Sequence, residues 1–544
     1  MLQIIDTPFA ALAKAIGAGK DELKLIFTFL LSYPLAGVLK RLPDSSPAQK
    51  NLFIIAVSLF YIIGVFDLWG GIRTLFISSA GAYIIASRIS GPYMPWIGFV
   101  FLMGHMFYSH MYRQLRPVDG EIDITGAQMV LVMKLTAFCW NVHDGRLPES
   151  ELNEVQKDRA LKQVPSILDY TGYVLYFPSL FAGPSFDFSE YRKYIDGTMF
   201  NVSVIDKKGA TKTKRRIPSS SKPATFKAIQ GLLWIGLFMQ LSAMYTEDFA
   251  QGPEFLKYSF FRRCWWLFMF GFTARTKYYG VWMLTEGACI LSGLGFNGVD
   301  ENKKPKWDRV TNVDPIALEG AQNTRAYLEA WNMNTNKWLK NYVYLRVTPK
   351  GRKPGFRSSL ATFATSALWH GTAPGYYMAF ITASFAQTIA KYFRRHVRPF
   401  FLTADAGLPK PSKKFYDIFC WFATQFGFSY IVVPFLVLDF KPTITIWSRT
   451  MYYGHVIIAI AMAFFSSPAK GMLIRTLKKR TSRAQAKKQE EEDSLRREPT
   501  LGLSDDPIHD IEEMEAEIRA EVARRRGSSV SGPRVRLNMP STKQ

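Results

Sequence analysis

The chain has 544 residues, of which 48% are hydrophobic and 15% aromatic, and a net charge of +24 from 68 Lys and Arg against 44 Asp and Glu. Its basic residues cluster in loops that flank apolar runs, the distribution of a polytopic membrane protein, and there is no basic-aromatic platform or helix-turn-helix unit for nucleic acid. Four cysteines, Cys139, Cys264, Cys289 and Cys420, stand far apart in or beside apolar segments, which indicates neither a disulfide framework nor a metal site.

Residues 1–21 read as a short amphipathic N-terminal segment, with Phe9, Leu12 and Ile16 at helical spacing and Lys14 and Lys20 opposite them. No cleavable leader is expected, because the first strongly apolar run, near Leu23, is followed by further spans. Apolar runs at about 22–39, 51–69, 72–89 and 94–110 each approach the roughly 20 residues that cross a hydrocarbon core. The segment 125–142 is shorter and carries Lys134, so it reads as a re-entrant or tilted element lining a cavity.

That segment leads into WNVHDGR, Trp140 to Arg146. A carboxylate beside an imidazole invites a catalytic pairing of His143 with Asp144, but neighbours on a helix diverge by about 100° and seldom face each other. A structural turn ended by Gly145 is the better reading. A polar loop at 147–164 follows, and then a segment, Tyr176 to Pro184, that Pro and Gly break up and that suits a cavity wall as well as a kinked packing helix. Residues 197–224 read as a flexible, basic cytosolic loop, which leaves the sequon at Asn201 on the cytosolic side.

Spans resume at about 226–248 and 260–293. The second holds Arg275, Lys277 and Glu286, which at membrane depth either meet a phosphate-bearing head group or form an internal ion pair. In the loop 296–322, Asp308 and Asp314 are expected to be solvated or bonded to the loop backbone. Further spans are expected at about 375–393, 415–438 and 450–466, giving about eleven membrane segments in all. Residues 471–544 are a charged, largely disordered tail on the cytosolic side, with helical promise between Ile508 and Arg526.

Most of the chemistry sits between Trp331 and Tyr377. An amide-rich run with Asn332, Asn334 and Asn336 is followed by a basic loop and then by an apolar segment whose one ionisable residue is His370. A lone imidazole at membrane depth is a functional hypothesis, although it also fits a satisfied core histidine beside the G-x-x-x-G of Gly371 and Gly375. The motif Trp331, Asn332, Trp338, Leu339, Tyr342, Val343, Tyr344, followed by Ala367 to Tyr376, resembles the signature of the membrane-bound O-acyltransferase (MBOAT) superfamily. The blocks at Tyr176–Pro184 and at 307–314 resemble its lysophospholipid acyltransferase branch, most closely the fungal broad-specificity enzymes.

The resemblance implies an all-α polytopic membrane protein, an MBOAT-type bundle over 22–470 that encloses a catalytic chamber in the endoplasmic reticulum membrane. It implies Asn332 and His370 as the catalytic pair, acyl-CoA as co-substrate, no other cofactor, and a lysophospholipid as acceptor. Trp331, Asn334, Trp338, Tyr342, Trp369, Tyr376 and Glu286 are the substrate-binding candidates. Chemically, a neutral imidazole is a general base, and a carboxamide is a donor that survives burial without a proton-balance problem. Whether Asn332 polarises the thioester carbonyl or orients His370 or the acceptor stays open. Lys337, Lys340, Arg346, Lys350, Arg352, Lys353 and Arg357 place positive charge where CoA phosphates would arrive. The rivals are another acceptor (diacylglycerol, sterol or peptide) or a transporter using His370 as a proton relay. Against the first stands the lead-in YLEAWNMN, against the second the absence of paired inverted halves. The H-x₄-D, P-loop, H-E-x-x-H and G-x-S-x-G motifs are missing as well.

Overall fold

The computed structural model describes residues 2–17, 19–116, 123–205, 211–215, 218–349, 356–403, 408–480 and 519. The first half of the bundle is built from α1 (Leu2–Ile16), α2 (Lys20–Arg41), α3 (Pro47–Leu59), α4 (Trp69–Arg88), α5 (Met94–Leu115) and α6 (Thr125–Gly145), followed by the short helices α7 (Glu154–Arg159), α8 (Ile167–Val174) and α9 (Phe188–Ile195). After an antiparallel hairpin of Asn201–Ile205 with Thr211–Arg215 come α10 (Ser221–Ser242), α11 (Glu247–Gln251) and α12 (Phe260–Ser292). Three short helices, α13 (Pro315–Glu319), α14 (Thr324–Ala330) and α15 (Met333–Leu339), then precede α16 (Phe356–His370) and α17 (Pro374–Tyr392). The last group is α18 (Lys413–Ile431), α19 (Val433–Val437), α20 (Phe440–Arg449), α21 (Tyr453–Ser466) and α22 (Pro468–Arg480).

Helix α6 is the axis of the main core. It is buried on nearly every face from Thr125 to Asp144 and packs against α4, α5, α7 and α15. The helix is continuous over 21 residues, which removes the re-entrant alternative expected at 125–142. Its polar residues face protein partners rather than lipid, which is why its hydropathy is low. Lys134 donates to the Tyr173 carbonyl and lies 4.3 Å from the Tyr173 ring centre and 4.6 Å from that of Phe186, so carbonyl and ring faces meet the cation. The broken segment at Tyr176–Pro184 is likewise core, not an open cavity wall. Tyr176 is fully buried, bonds Ser292 at 2.6 Å and meets Phe186, Tyr191 and Tyr194 edge-to-face.

Four helical stretches among the described residues are long and apolar enough to cross a membrane by themselves: Lys20–Arg41, Pro47–Val65, Ser221–Gln251 and Lys413–Val437. A fifth forms if Tyr453–Ser466 and Pro468–Lys479, bent by 65°, count as one. The expected count of about eleven is therefore not reproduced by length and hydropathy. Inner helices spend positions on groups that contact protein, as α6 does. Helix α12 does so too: its 33 residues extend about 50 Å at 1.5 Å per residue, beyond the roughly 30 Å hydrocarbon core. Outer helices show the opposite pattern, with Phe226 and Leu233 of α10 exposed to the surroundings a lipid would fill.

At the N-terminus, α1 lies against α2, with Phe9 and Phe27 ring centres 5.4 Å apart and Asp6 paired with Lys24. The basic loop at 197–224 contains the hairpin. The tail residues 481–518 and 520–544, including most of the stretch Ile508 to Arg526, lie outside the described residues, whereas 471–480 continue a helix.

Candidate active site

Asn332 sits at the joint between α14 and α15, where the chain must turn sharply. The turn is made in the left-handed region, φ 44° and ψ 53°, which costs most residues about 1–2 kcal/mol and which Asn tolerates best after Gly. The surrounding amides hold the joint. Asn312 accepts from the backbone N–H of Met333 at 2.8 Å and, through its side chain, from that of Asn334 at 3.1 Å. Asn334 donates to the carbonyls of Val310 and Thr311, and Asn336 to those of Leu328 and Trp331. Asn332 is different. Its Oδ1 accepts from the Thr335 hydroxyl at 2.8 Å, while its Nδ2 has no hydrogen-bond partner among the described residues and the side chain keeps accessible surface. Thr335 thus fixes the amide by its acceptor end and leaves the donor end uncommitted among the described residues.

His370 is the last residue of α16, and Gly371 turns the chain at φ 143°. A Cβ at Gly371 would come within 2.9 Å of the Tyr376 ring, so only glycine fits both the angle and the space. The imidazole lies in an aromatic box: ring centres of Phe435, Phe380 and Tyr376 are 4.7, 5.5 and 5.7 Å away. No hydrogen bond to His370 is made by a described side chain, and the residue remains partly accessible. The second glycine, Gly375, packs against backbone, its N–H donating to Leu438 O at 2.7 Å.

One face of α6 holds the two motifs together. Met129 O accepts from the Trp369 indole at 3.0 Å, Met133 Sδ lies 3.3 Å from the Thr335 oxygen, whose one proton goes to Asn332 Oδ1, and Thr136 Oγ1 accepts from the Trp338 indole at 2.8 Å. Positions 129, 133 and 136 lie on one stripe of a helix. Met129 and Met133 are about 6 Å apart along the axis. The neighbour of His370 and the hydroxyl that orients Asn332 are therefore set one turn apart on the same rigid helix. Trp338 and Trp369 close the gap, with ring centres 6.0 Å apart.

The other candidates divide. Tyr376 touches His370, and Trp331 packs on Trp282 at 4.9 Å and Tyr278 at 5.6 Å beside Asn332. Trp338, Trp369 and Asn334 are buried and committed to protein bonds. Tyr342 lies apart, its hydroxyl donating to Asp187 at 2.7 Å with Asn141 Oδ1 also 3.0 Å away, and Arg159 lies 3.0 Å from Asp187. Both oxygens of Glu286 are engaged, by Lys227 at 3.1 Å and by Thr311 at 2.7 Å; Arg275 pairs with Glu319 and Lys277 with Glu22. Of the two alternatives for these charges, internal ion pairing is the geometry found. Asp308 accepts from Asn297, and Asp314 caps α13. A polar cavity of about 490 Å³ opens beside this site, lined by Glu190, Asn297, Asp308, Arg309, Thr311, Asp314, Met333 and Lys337.

In WNVHDGR, Asp144 takes a two-pronged contact from Arg346, whose guanidinium also lies 4.2 Å from the Trp140 ring centre. His143 Nδ1 approaches Asp144 to 3.5 Å without a hydrogen bond, and Gly145 ends the helix where Leu161 crosses it. The clamp ties the chain after α15 to the end of α6. Removing one partner of a buried pair strands the other charge, so Asp144→Ala is expected to lower stability by about 3–5 kcal/mol. A thermal unfolding midpoint in detergent equal to that of the unaltered protein would contradict this. Sequence reasoning passed over this pair, as it did Thr335 and Phe435. Thr335 had a signal, since it stands three positions from Asn332 on a helix; the Arg346–Asp144 pair, 202 positions apart, had none.

The family model described as MBOAT, membrane-bound O-acyltransferase family, matches residues 96–433, which contain α6, Asn332 and His370. The chain is 47% identical over 497 residues to a protein of Schizosaccharomyces pombe named "Lysophospholipid acyltransferase", covering 90% of this chain and 95% of that protein. It is 42% identical over 484 residues to one of the same name from Saccharomyces cerevisiae, covering 86% and 78%. With "Lysophospholipid acyltransferase 1" of Arabidopsis thaliana it shares 31% identity over 468 residues, covering 85% and 97%.

Proposed function

The chain belongs to the membrane-bound O-acyltransferase family, and we propose that it transfers a fatty acyl group from acyl-CoA to the free sn-2 hydroxyl of a lysophospholipid, re-forming a diacyl phospholipid. That it is a membrane-embedded acyltransferase follows from the family. The acceptor is taken from the names of its relatives, and acyl-CoA from the need for an activated acyl donor whose leaving group departs without a strong acid.

In the proposed reaction His370 is the base. Its imidazole takes the hydroxyl proton as the oxygen attacks the thioester carbonyl carbon. The C–O bond forms, the carbonyl oxygen gains negative charge, and Asn332 Nδ2–H donates to it. When the carbonyl re-forms, the C–S bond breaks, and the departing thiolate receives the proton held by His370. Products are the diacyl phospholipid and CoA thiol, with no acyl-enzyme. The phosphates and adenosine of CoA require an aqueous approach, and Lys337, free of a described partner in the polar cavity beside Met333, is suited to meet them. Tyr376, Trp331 and the Phe435 box supply apolar walls for acyl chains.

The observation that carries this reading is the stripe of α6, which holds the supports of Asn332 and His370 one turn apart, Trp369 by a hydrogen bond and Thr335 by contact. A cytosolic tail accords with the basic block Lys478, Lys479 and Arg480, and residence in the endoplasmic reticulum membrane is part of the same proposal. The test is CoA-thiol release by purified protein given acyl-CoA and a panel of acceptors. Release is expected with lysophospholipids of several head groups and not without an acceptor. Faster release with diacylglycerol or a sterol than with any lysophospholipid would overturn the choice of acceptor.

A further inference from the structure

A general base normally has a second group, often a carboxylate, that fixes its ring. His370 has none among the described residues, so something else must hold it. We propose that His110 of α5 is the positioning residue for His370, acting through the backbone of the turn that ends α16, and that Gln114 assists it. This inference rests on His370 being the base.

The last four carbonyls of a helix have no intrahelical donor and need one from elsewhere. At the end of α16, His110 Nε2 lies 3.3 Å from Trp369 O. A carbonyl only accepts, so Nε2 carries the proton and donates. One turn further along the same face of α5, the Gln114 side chain accepts from the Thr372 hydroxyl. The two contacts bracket the left-handed Gly371, and the Gly371 position is flanked by the His110 ring on one side and the Tyr376 ring on the other. Residue 369 is thereby pinned twice, by α5 through its carbonyl and by α6 through its indole. With both flanks fixed, the aromatic box determines the direction of the imidazole. His110 is itself buried within the bundle, 7% exposed.

Displacement of a reacting group by about 1 Å costs about a hundredfold in rate. His110→Phe, which keeps the ring's bulk and removes the donor, is accordingly expected to lower kcat by about 10–100-fold with KM for both substrates unchanged. His110→Gln, whose carboxamide can donate to the same carbonyl, is expected to restore most of it. Gln114→Leu, at the exposed end of α5, is expected to lower kcat by about threefold, less than the loss of a buried donor, and it answers the question if His110→Phe does not accumulate. Unaltered kcat in His110→Phe, equal losses in the Phe and Gln variants, or an effect confined to KM would overturn the proposal; if His110→Phe does not accumulate, unaltered kcat in Gln114→Leu does so. Were His370→Ala inactive and His110→Phe fully active, only this inference would fall. An active His370→Ala would instead remove the reading beneath it.

Discussion

Replacement of His370 by Ala is expected to lower kcat by about 10²–10⁴-fold, the range that a positioned general base supplies. The loss should fall on turnover, because the apolar walls proposed for an acyl chain, Phe435, Phe380 and Tyr376, remain. Deleting the ring leaves a void in the aromatic box, so the unfolding midpoint in detergent has to be followed beside activity. His370→Gln fills more of that void and supplies no base of suitable strength, and it should be about as slow as the Ala variant. Activity in either variant within a few-fold of the unaltered protein would exclude His370 as the base. Initial rates of CoA-thiol release at saturating lysophospholipid make the comparison.

Asn332→Ala is expected to cost about 10²–10³-fold in kcat, the effect of removing one donor to a developing oxyanion. Two things happen at once in that variant, since Ala also fits the left-handed backbone poorly. Asn332→Gly separates them: it keeps the turn at no steric cost and loses only the amide. An equal loss in the Ala and Gly variants identifies the carboxamide as what matters; full activity in Gly would identify the backbone. Asn332→Asp replaces the donor with an acceptor-only carboxylate and should be at least as slow. Thr335→Val leaves the amide in place and removes the hydroxyl that turns it, so a smaller loss, of about fivefold, is expected, in keeping with about 1 kcal/mol for one hydrogen bond.

The helical class and the order of apolar runs were legible because both rest on local composition. Membrane depth was not. The Tyr176–Pro184 segment is broken by Pro and Gly in the way of a cavity wall, and whether aromatic rings face a void or one another depends on Phe186, Tyr191 and Tyr194 arriving from other elements. Lys134 misled for a related reason. A lysine in an apolar run signals either water or a special partner, and here a carbonyl and two ring faces accept it inside the core.

At the site, Asn332 and His370 stood out through their motifs, but nothing local said what joins them. The joining residues are Met129, Met133 and Thr136, which look like ordinary members of an apolar helix. Asn334 and Trp338 read as ligand contacts from the same motif, and the donor groups of both, Asn334 Nδ2 and the Trp338 indole N–H, are engaged by the loop at 310–311 and by the α6 stripe. A motif marks residues that a fold requires without dividing those that meet the substrate from those that shape its surroundings. The distinction appears only when the partners of each polar atom are known.

A double-mutant cycle on His370 and Asn332 tests most directly whether the imidazole and the carboxamide serve one chemical step. Groups that act as a unit are strongly non-additive. Together with the two single variants, His370→Ala/Asn332→Ala is therefore predicted to have a kcat within a few-fold of the slower single variant. A double variant slowed by the full product of the two separate losses would mean that the residues act independently, and would contradict a shared reaction centre on the face of α6.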